Sequence, residues 1–123
     1  MRTSDFKDLI VWQKSISLVE EVYKTLKTFP SEEKFALCDQ IRRSSVSIPS
    51  NIAEGHYRES LKERIHFLSI ARGSLAELET QLIISKNLGY LDLDNFEKFI
   101  YEIKGIGVML VSLINKLKTT LKP

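Results

Sequence analysis

Residues 40–55, QIRRSSVSIPSNIAEG, decide the fold because they carry a helical apolar pattern through a proline. Ile41, Ile48 and Ile52 recur at spacings of seven and four, which places them on one face of a helix. Pro49 costs about 3 kcal/mol inside a helix, since it lacks an N–H and its ring crowds the preceding turn. The apolar pattern nevertheless keeps its phase across the proline. We therefore predict one continuous helix that is kinked near Pro49.

A second, polar stripe runs along the same predicted helix. Its members recur at spacings of three and four, and they are Gln40, Ser44, Ser47, Asn51, Glu54 and Arg58. The stripe carries short hydroxyls and amides, whereas a solvated helix face is usually rich in charged residues. Two interpretations stay open: a solvated face of unusual composition, or a partly buried polar seam between helices or subunits. The candidate polar seam consists of Gln40, Ser47, Asn51, Glu54 and, from the next helix, Glu77.

The rest of the chain has the same helical periodicity on either side of this stretch. Four amphipathic helices are predicted, at about residues 8–28, 32–58, 61–87 and 95–121. The third has an unusually broad apolar surface, which indicates either a central position or contact with another subunit. We expect an all-α protein, a single domain of residues 1–123 that forms an antiparallel up-down-up-down four-helix bundle.

Residues that start, end or interrupt helices support these boundaries. Ser31 and Asp94 are the predicted N-caps of the second and fourth helices, and Ser60 forms a capping box with a glutamate three residues later. Gly89 suits the left-handed conformation that often follows a helix end. Gly105 lies inside the fourth helix, where we expect it and the glycine two residues later to let a neighbouring helix approach closely.

Composition narrows the class of protein further. The chain has 123 residues, 43% of them hydrophobic, and a net charge of +2, so it can bury a core but shows no strong overall bias toward nucleic acid. Only the last nine residues, NKLKTTLKP, are locally basic. The single Cys38 excludes an internal disulfide and a cysteine zinc site. The chain opens without a signal-peptide pattern and has no apolar run of transmembrane length, so we expect a cytoplasmic protein without a membrane partner.

The sequence gives little support for a catalytic or metal site. A di-iron site in a helical bundle needs Glu-x-x-His on two helices, and only Glu63 and His66 match that motif. The chain contains no G-x-S-x-G motif and no phosphate-binding glycine loop between a strand and a helix. We therefore predict that the protein is not an enzyme and has no catalytic residue, metal or cofactor.

Basic side chains on the second and third helices are the remaining candidates for function. Arg42 and Arg43 either form structural ion pairs or contribute to a basic surface, because the guanidinium fork suits both carboxylates and phosphates. The carboxylates considered as their partners are Glu54, Glu77 and Glu79. The candidate nucleic-acid-binding residues are Arg42, Arg43, Arg58, Lys62, Arg64 and Arg72. A symmetric oligomer would repeat such a surface and multiply phosphate contacts without a high charge on each chain.

Several segments resemble the 23S rRNA intervening-sequence protein family, also called the S23 family. They are RRSSVSIPSNIAEG at 42–55, FLSIARGSLAELETQL at 67–82 and LGYL at 88–91, and the opening FKDLIVWQKSISLVEEVY at 6–23 is similar to the family's first helix. The chain departs from the family pattern at Ser44, where the pattern has alanine after the two arginines.

The resemblance implies a four-helix bundle that assembles into ring-shaped homo-oligomers, typically pentamers, and it suggests RNA as a ligand. More distantly, the chain is similar to the accessory variability protein of diversity-generating retroelements, a pentameric bundle that binds a reverse transcriptase and nucleic acid.

Two functions are therefore predicted as alternatives. The first is a non-enzymatic homo-oligomer that binds RNA through a basic surface, with binding that weakens in Arg42→Ala or Arg43→Ala. The second is a protein-interaction scaffold whose polar seam and spare apolar face dock a partner protein, such as an enzyme that acts on nucleic acid.

Overall fold

The structure, a computed structural model, describes residues 5–121. Its elements are two short 3-10 helices, Phe6–Asp8 and Ser31–Glu33, and four α-helices: α1 (Ile10–Leu26), α2 (Leu37–Tyr57), α3 (Leu61–Asn87) and α4 (Leu93–Leu121). No strand occurs among the described residues, and the predicted all-α class is confirmed. Each α-helix packs against the next one along the chain, and α4 packs back against α1, so the four helices surround one core.

The core consists of the apolar stripes of all four helices. The largest fully buried apolar side chains are Leu18, Val22, Ile41, Ile48, Ile52, Leu78, Leu82, Ile106 and Leu110. The apolar stripe predicted for the second helix therefore faces the interior. Full burial of one such side chain stabilises the fold by about 1.5–3 kcal/mol, so this core easily offsets the cost of one helical proline.

The second helix continues through Pro49, as predicted, and the proline itself is buried. The direction of α3 relative to α2 follows from two hydrogen-bonded pairs, because Ser44 contacts Gln81 whereas Ser47 contacts Ser74. These two helices therefore run in opposite directions. The kink near Pro49 and the up-down-up-down order of all four helices stay predictions.

The start of α2 differs from the predicted one. The helix begins at Leu37 rather than near residue 32, and Ser31 begins a 3-10 turn instead of capping α2. The Glu33 carboxylate accepts hydrogen bonds from the Leu37 N–H, at 3.5 Å, and from the Tyr90 hydroxyl, at 2.8 Å. The bond to Glu33 raises the pKa of Tyr90. The carboxylate that accepts from the first N–H of α2 is therefore also bonded to the loop after α3. The sequence near residue 33 does not show this distant contact.

Three further helix boundaries test the predicted caps. The N-cap at Ser60 is confirmed, since its hydroxyl accepts a hydrogen bond from the residue 63 N–H at 3.0 Å. Gly89 has φ +81°, as predicted for the residue after a helix end. Asp94, however, lies inside α4, and Asp92 accepts the hydrogen bond from the Asn95 N–H at 2.8 Å. From the sequence alone, either aspartate could cap the helix. In the structure α4 begins directly after the first of the two.

The glycine at which two helices approach closely is Gly55. A Cβ at this position would lie 3.2 Å from the Phe67 Cβ and 3.3 Å from the Arg64 carbonyl oxygen. Gly105 has no atom within 4 Å of the same position, so the expected close approach there is wrong within this chain. A Cβ at Gly107 would lie 3.9 Å from the Leu75 side chain of α3, an ordinary contact, whereas Gly55 faces the α3 backbone directly.

We expect opposite effects from the same substitution at two helical glycines. Gly73→Ala should raise the free energy of unfolding by about 0.5–1 kcal/mol, because alanine lowers the backbone entropy of the unfolded chain and meets no atom within 4 Å. Gly55→Ala should lower it by about 1–3 kcal/mol, because the α3 backbone must move. Urea unfolding of both variants measures this difference, and equal stabilisation by both would contradict the close approach.

Candidate nucleic-acid interface

Part of the polar stripe of α2 forms hydrogen bonds with α3 inside one chain. The Ser44 hydroxyl donates to the Gln81 side-chain oxygen at 2.7 Å, and the Ser47 and Ser74 hydroxyls lie 2.8 Å apart. Asn51 donates to the Ser47 backbone oxygen at 2.8 Å and to the Ser47 hydroxyl at 2.9 Å, which leaves the hydroxyl proton of Ser47 free to be donated to Ser74. Of the two interpretations left open by the sequence, the helix–helix seam describes these residues.

The other members of the candidate seam lie at the surface. Gln40 and Glu77 are exposed, and Glu54 forms an ion pair of 2.8 Å with Arg58. The structure therefore divides the predicted seam into a part between α2 and α3 and a part in contact with solvent. Gln81 and Ser74 are the α3 partners in the part between the helices. In the sequence, only their spacing of seven residues, which places them on one face of the third helix, indicated them.

Arg42 and Arg43 contact residues near the start of α2. Arg42 donates to the Lys34 backbone oxygen at 2.6 Å, and Arg43 pairs with Asp39 at 3.2 Å while its side chain stays 80% exposed. The ion pairs with Glu54, Glu77 and Glu79 that the sequence had suggested are not formed. Carboxylates surround this end of the bundle, at Glu32, Glu33, Asp39, Asp92 and Asp94.

Three other candidates, Arg58, Lys62 and Arg64, lie at the junction of α2 and α3. Arg58 follows the last residue of α2, and its guanidinium lies 4.8 Å from the Phe67 ring centroid, between Glu54 at 2.8 Å and Glu63 at 3.9 Å. Its Nε is buried and has no hydrogen-bond partner within residues 5–121. Arg64 donates to the Arg58 backbone oxygen at 2.6 Å, which ties the start of α3 to the end of α2.

The last turns of α4 reach the same end of the molecule. Leu113 and Leu117 line a cavity of ≈ 120 Å³ together with His56 and Arg64. The lysines on either side of Leu117 are exposed at the same end of the bundle as the junction residues. We name this surface the basic end and define it as Arg58, Lys62, Arg64, Lys116 and Lys118.

The six residues predicted to bind nucleic acid do not share one surface. Arg42 precedes Arg58 by 16 residues, or about 24 Å of helix at about 1.5 Å per residue. Arg72 lies further along α3, in the groove against α4 that Glu79 and Lys104 also line. The structure brings together three of the six and adds two lysines of α4, which only the basic composition of the last nine residues had indicated.

The exposed charge of the basic end comes mainly from lysines. Glu54 and Glu63 neutralise Arg58, whereas Lys62, Lys116 and Lys118 are exposed and take part in none of the ion pairs described within residues 5–121. A lysine ammonium is a flexible point charge, which can contact phosphates without a fixed geometry.

The remaining reactive groups are arranged as structural residues. Cys38 is buried, and this burial raises the pKa of its thiol, so the thiol stays protonated near neutral pH. Across residues 5–121, His, Cys, Asp and Glu nowhere form a group of three or more that could hold a metal ion. No helix in this part of the chain is both long enough and apolar enough to cross a membrane.

The fold and this surface define an all-α protein with a hydroxyl-bonded helix pair and a basic end. The sequence profile of the 23S rRNA-intervening sequence protein family matches residues 7–112, and the chain belongs to this family. The resemblance noted from the sequence is thereby confirmed. The family description names no reaction.

A solved structure supports the assignment. The chain is similar to the crystal structure of a protein of unknown function from the S23 ribosomal protein family of Bacteroides thetaiotaomicron, with 28% identity and a TM-score of 0.80. The match covers 86% of this chain and 96% of the neighbour. No curated protein matches the chain.

We expect the Ser47–Ser74 hydrogen bond to couple the two residues energetically. Ser47→Ala and Ser74→Ala should each destabilise the protein, and the double variant should lose less than the sum by about 0.5–1.5 kcal/mol. A double-mutant cycle by urea unfolding measures this coupling. Thr80, exposed on α3, supplies the control, because Thr80→Ala should combine additively with Ser47→Ala. If the losses in unfolding free energy from the two serine substitutions were additive, the predicted coupling through the hydrogen bond would be wrong.

Proposed function

We propose that this protein is a non-enzymatic cytoplasmic homo-oligomer that binds RNA through the basic end of each chain. The observation that carries the proposal is the meeting of two basic segments, the α2–α3 junction and the last turns of α4, which lie about fifty residues apart in sequence. The name of the family, which refers to an intervening sequence of 23S rRNA, supports RNA as the ligand class.

The proposed binding is electrostatic and depends on repetition. Each lysine that contacts a phosphate releases condensed counterions, which favours binding most at low salt. One chain offers few exposed lysines at this end, so a single copy binds weakly. In an oligomer, by our proposal a pentamer, one RNA strand can contact several basic ends, and the second contact forms at a high effective concentration.

The proposed contact between copies lies along the groove between α1 and α4. This groove has a volume of ≈ 910 Å³, and its lining includes Tyr101, Gly105 and Val108. Tyr101 is 81% exposed and Val108 is 71% exposed. Charged residues, among them Lys14, Glu21 and Lys104, also line the groove. Exposed apolar side chains with a polar rim mark a surface that another protein covers. Gly105, between them, leaves the α4 backbone accessible to a close neighbour.

A second candidate function uses the same groove differently. In this alternative the protein is a scaffold, and the groove docks a partner protein, for example an enzyme that holds the nucleic acid itself. The exposure of Tyr101 and Val108 favours this alternative if the protein proves monomeric. Wild-type protein that is monomeric, binds no RNA and retains a partner that Val108→Asp loses in a pull-down would establish it.

We expect RNA binding to depend on lysines at the basic end and not on cations at the opposite end. The double variant Lys62→Ala/Lys118→Ala should weaken binding at least about tenfold near 50 mM salt, and it should reduce the slope of log K against log salt by about 1.4. Fluorescence anisotropy with a labelled RNA strand measures both quantities.

The matched control for this experiment is Lys27→Ala/Arg43→Ala. It also removes two exposed cations, but from the opposite end of the bundle, and it should change the affinity by less than about twofold. Equal losses in the two double variants, or no binding by an intact wild-type oligomer at this salt, would refute the proposal.

We expect a charge in the α1–α4 groove to dissociate the oligomer. Val108→Asp should convert the protein to monomers, because it places a carboxylate against an apolar contact. Val46→Asp is the matched control, since Val46 is 40% exposed on α2, outside the groove, and this variant should keep the wild-type mass. Multi-angle light scattering measures the mass of each. An unchanged mass in Val108→Asp would place the contact elsewhere.

A further inference from the structure

The exposed aromatic residue nearest to the basic end is Tyr57, the last residue of α2. It directly precedes Arg58, and 68% of the residue is exposed. Its hydroxyl forms no hydrogen bond with any residue in the range 5–121. Neither deep burial nor a polar contact of the hydroxyl therefore explains a tyrosine at this position.

The Tyr57 ring is nevertheless held in place by other aromatic rings. Phe6 packs against it edge-on, with ring centroids 5.7 Å apart, and Phe6 packs in turn against Trp12 at 5.3 Å. His56 lies edge-on at 6.3 Å. Edge-on contacts of this kind stabilise an aromatic pair without covering both ring faces. The ring thus combines a fixed position with a large accessible surface.

The ring lies at the end of α2, directly before the basic residues of the α2–α3 junction. Arg58 is its neighbour in sequence, and Lys62 is exposed at the start of α3. An exposed aromatic ring next to flexible cations is the arrangement by which proteins bind single strands, with a base stacked on the ring and the phosphates on the cations. The bases of an RNA duplex are already stacked inside the helix and cannot use the ring in this way.

We propose that Tyr57 stacks an unpaired base, so that the ligand of the basic end is single-stranded or loop RNA and not duplex RNA. This inference rests on the proposed function and specifies the substrate class of the same surface. Lys62 contacts a phosphate next to the stacked base, and Tyr57 supplies the preference for unpaired RNA.

The experiment compares two RNA probes with four proteins. The probes are a labelled oligouridylate strand and a labelled blunt RNA duplex of equal phosphate number, and the proteins are the wild type, Tyr57→Phe, Tyr57→Leu and Tyr57→Ala. The wild type and Tyr57→Phe should bind the single strand at least about tenfold more tightly than the duplex. Tyr57→Ala should lose about 5- to 150-fold in affinity for the single strand and keep its affinity for the duplex.

Tyr57→Leu separates stacking from packing. Leucine keeps an apolar contact for Phe6 but offers no ring, so this variant should fold and lose single-strand affinity as alanine does. Unchanged single-strand affinity in both Tyr57→Leu and Tyr57→Ala overturns the inference, as does equal affinity of the wild type for both probes.

Two further readouts distinguish this inference from the proposed function. If Lys62→Ala/Lys118→Ala binds both probes more weakly while the tyrosine variants bind as the wild type does, the proposed RNA binding is supported and the base-stacking inference is overturned. If the wild type binds neither probe, both the proposed RNA binding and the stacking inference are overturned. If light scattering shows that Tyr57→Leu dissociates the oligomer, Tyr57 is a contact between copies, and the stacking inference is overturned.

Discussion

The close contact between α2 and α3 is the constraint on which the rest of the structure depends. Gly55 lets the α3 backbone approach to a distance that a side chain would prevent, with the Arg64 carbonyl oxygen 3.3 Å from the position of a Cβ. Two pairs of polar side chains, Ser44 with Gln81 and Ser47 with Ser74, bridge the same interface. Buried hydroxyls are costly unless they are paired, so these bonds favour one register of the helices, which apolar contacts alone define only loosely.

This register determines which cations come together. Because α3 begins directly after α2 ends, Arg58 lies over the Phe67 ring, and Arg64 binds the Arg58 backbone oxygen. The other arginines of α2 lie at the far end, where Arg42 binds the Lys34 backbone oxygen. The arginines of α2 are thereby divided between the two ends of the bundle. Charge distribution, rather than net charge, is what a phosphate ligand would sense at close range.

The fold is shared with the S23 protein from Bacteroides thetaiotaomicron at 28% identity, and the two chains match along most of their lengths. A bundle of this kind supplies a rigid support, and its function depends on the surfaces that it presents. Two surfaces stand out here: the basic end, where lysines of α3 and α4 meet, and the groove between α1 and α4, where Tyr101 and Val108 are exposed. They involve different parts of the bundle, so one can contact a protein while the other contacts RNA.

The sequence by itself determined the helical class, the four helices, the buried stripe through Pro49 and the N-cap at Ser60, because each depends on periodicity or on neighbours within one turn. Only the tertiary structure decided the cap at Asp92, the close approach at Gly55, the partner of Arg42 and the position of the last turns of α4 beside the α2–α3 junction. Each of these requires the distance between residues that are far apart in the chain or a choice between equivalent local signals. Helical periodicity shows which residues share a face, whereas the packing of one helix on another determines what that face contacts.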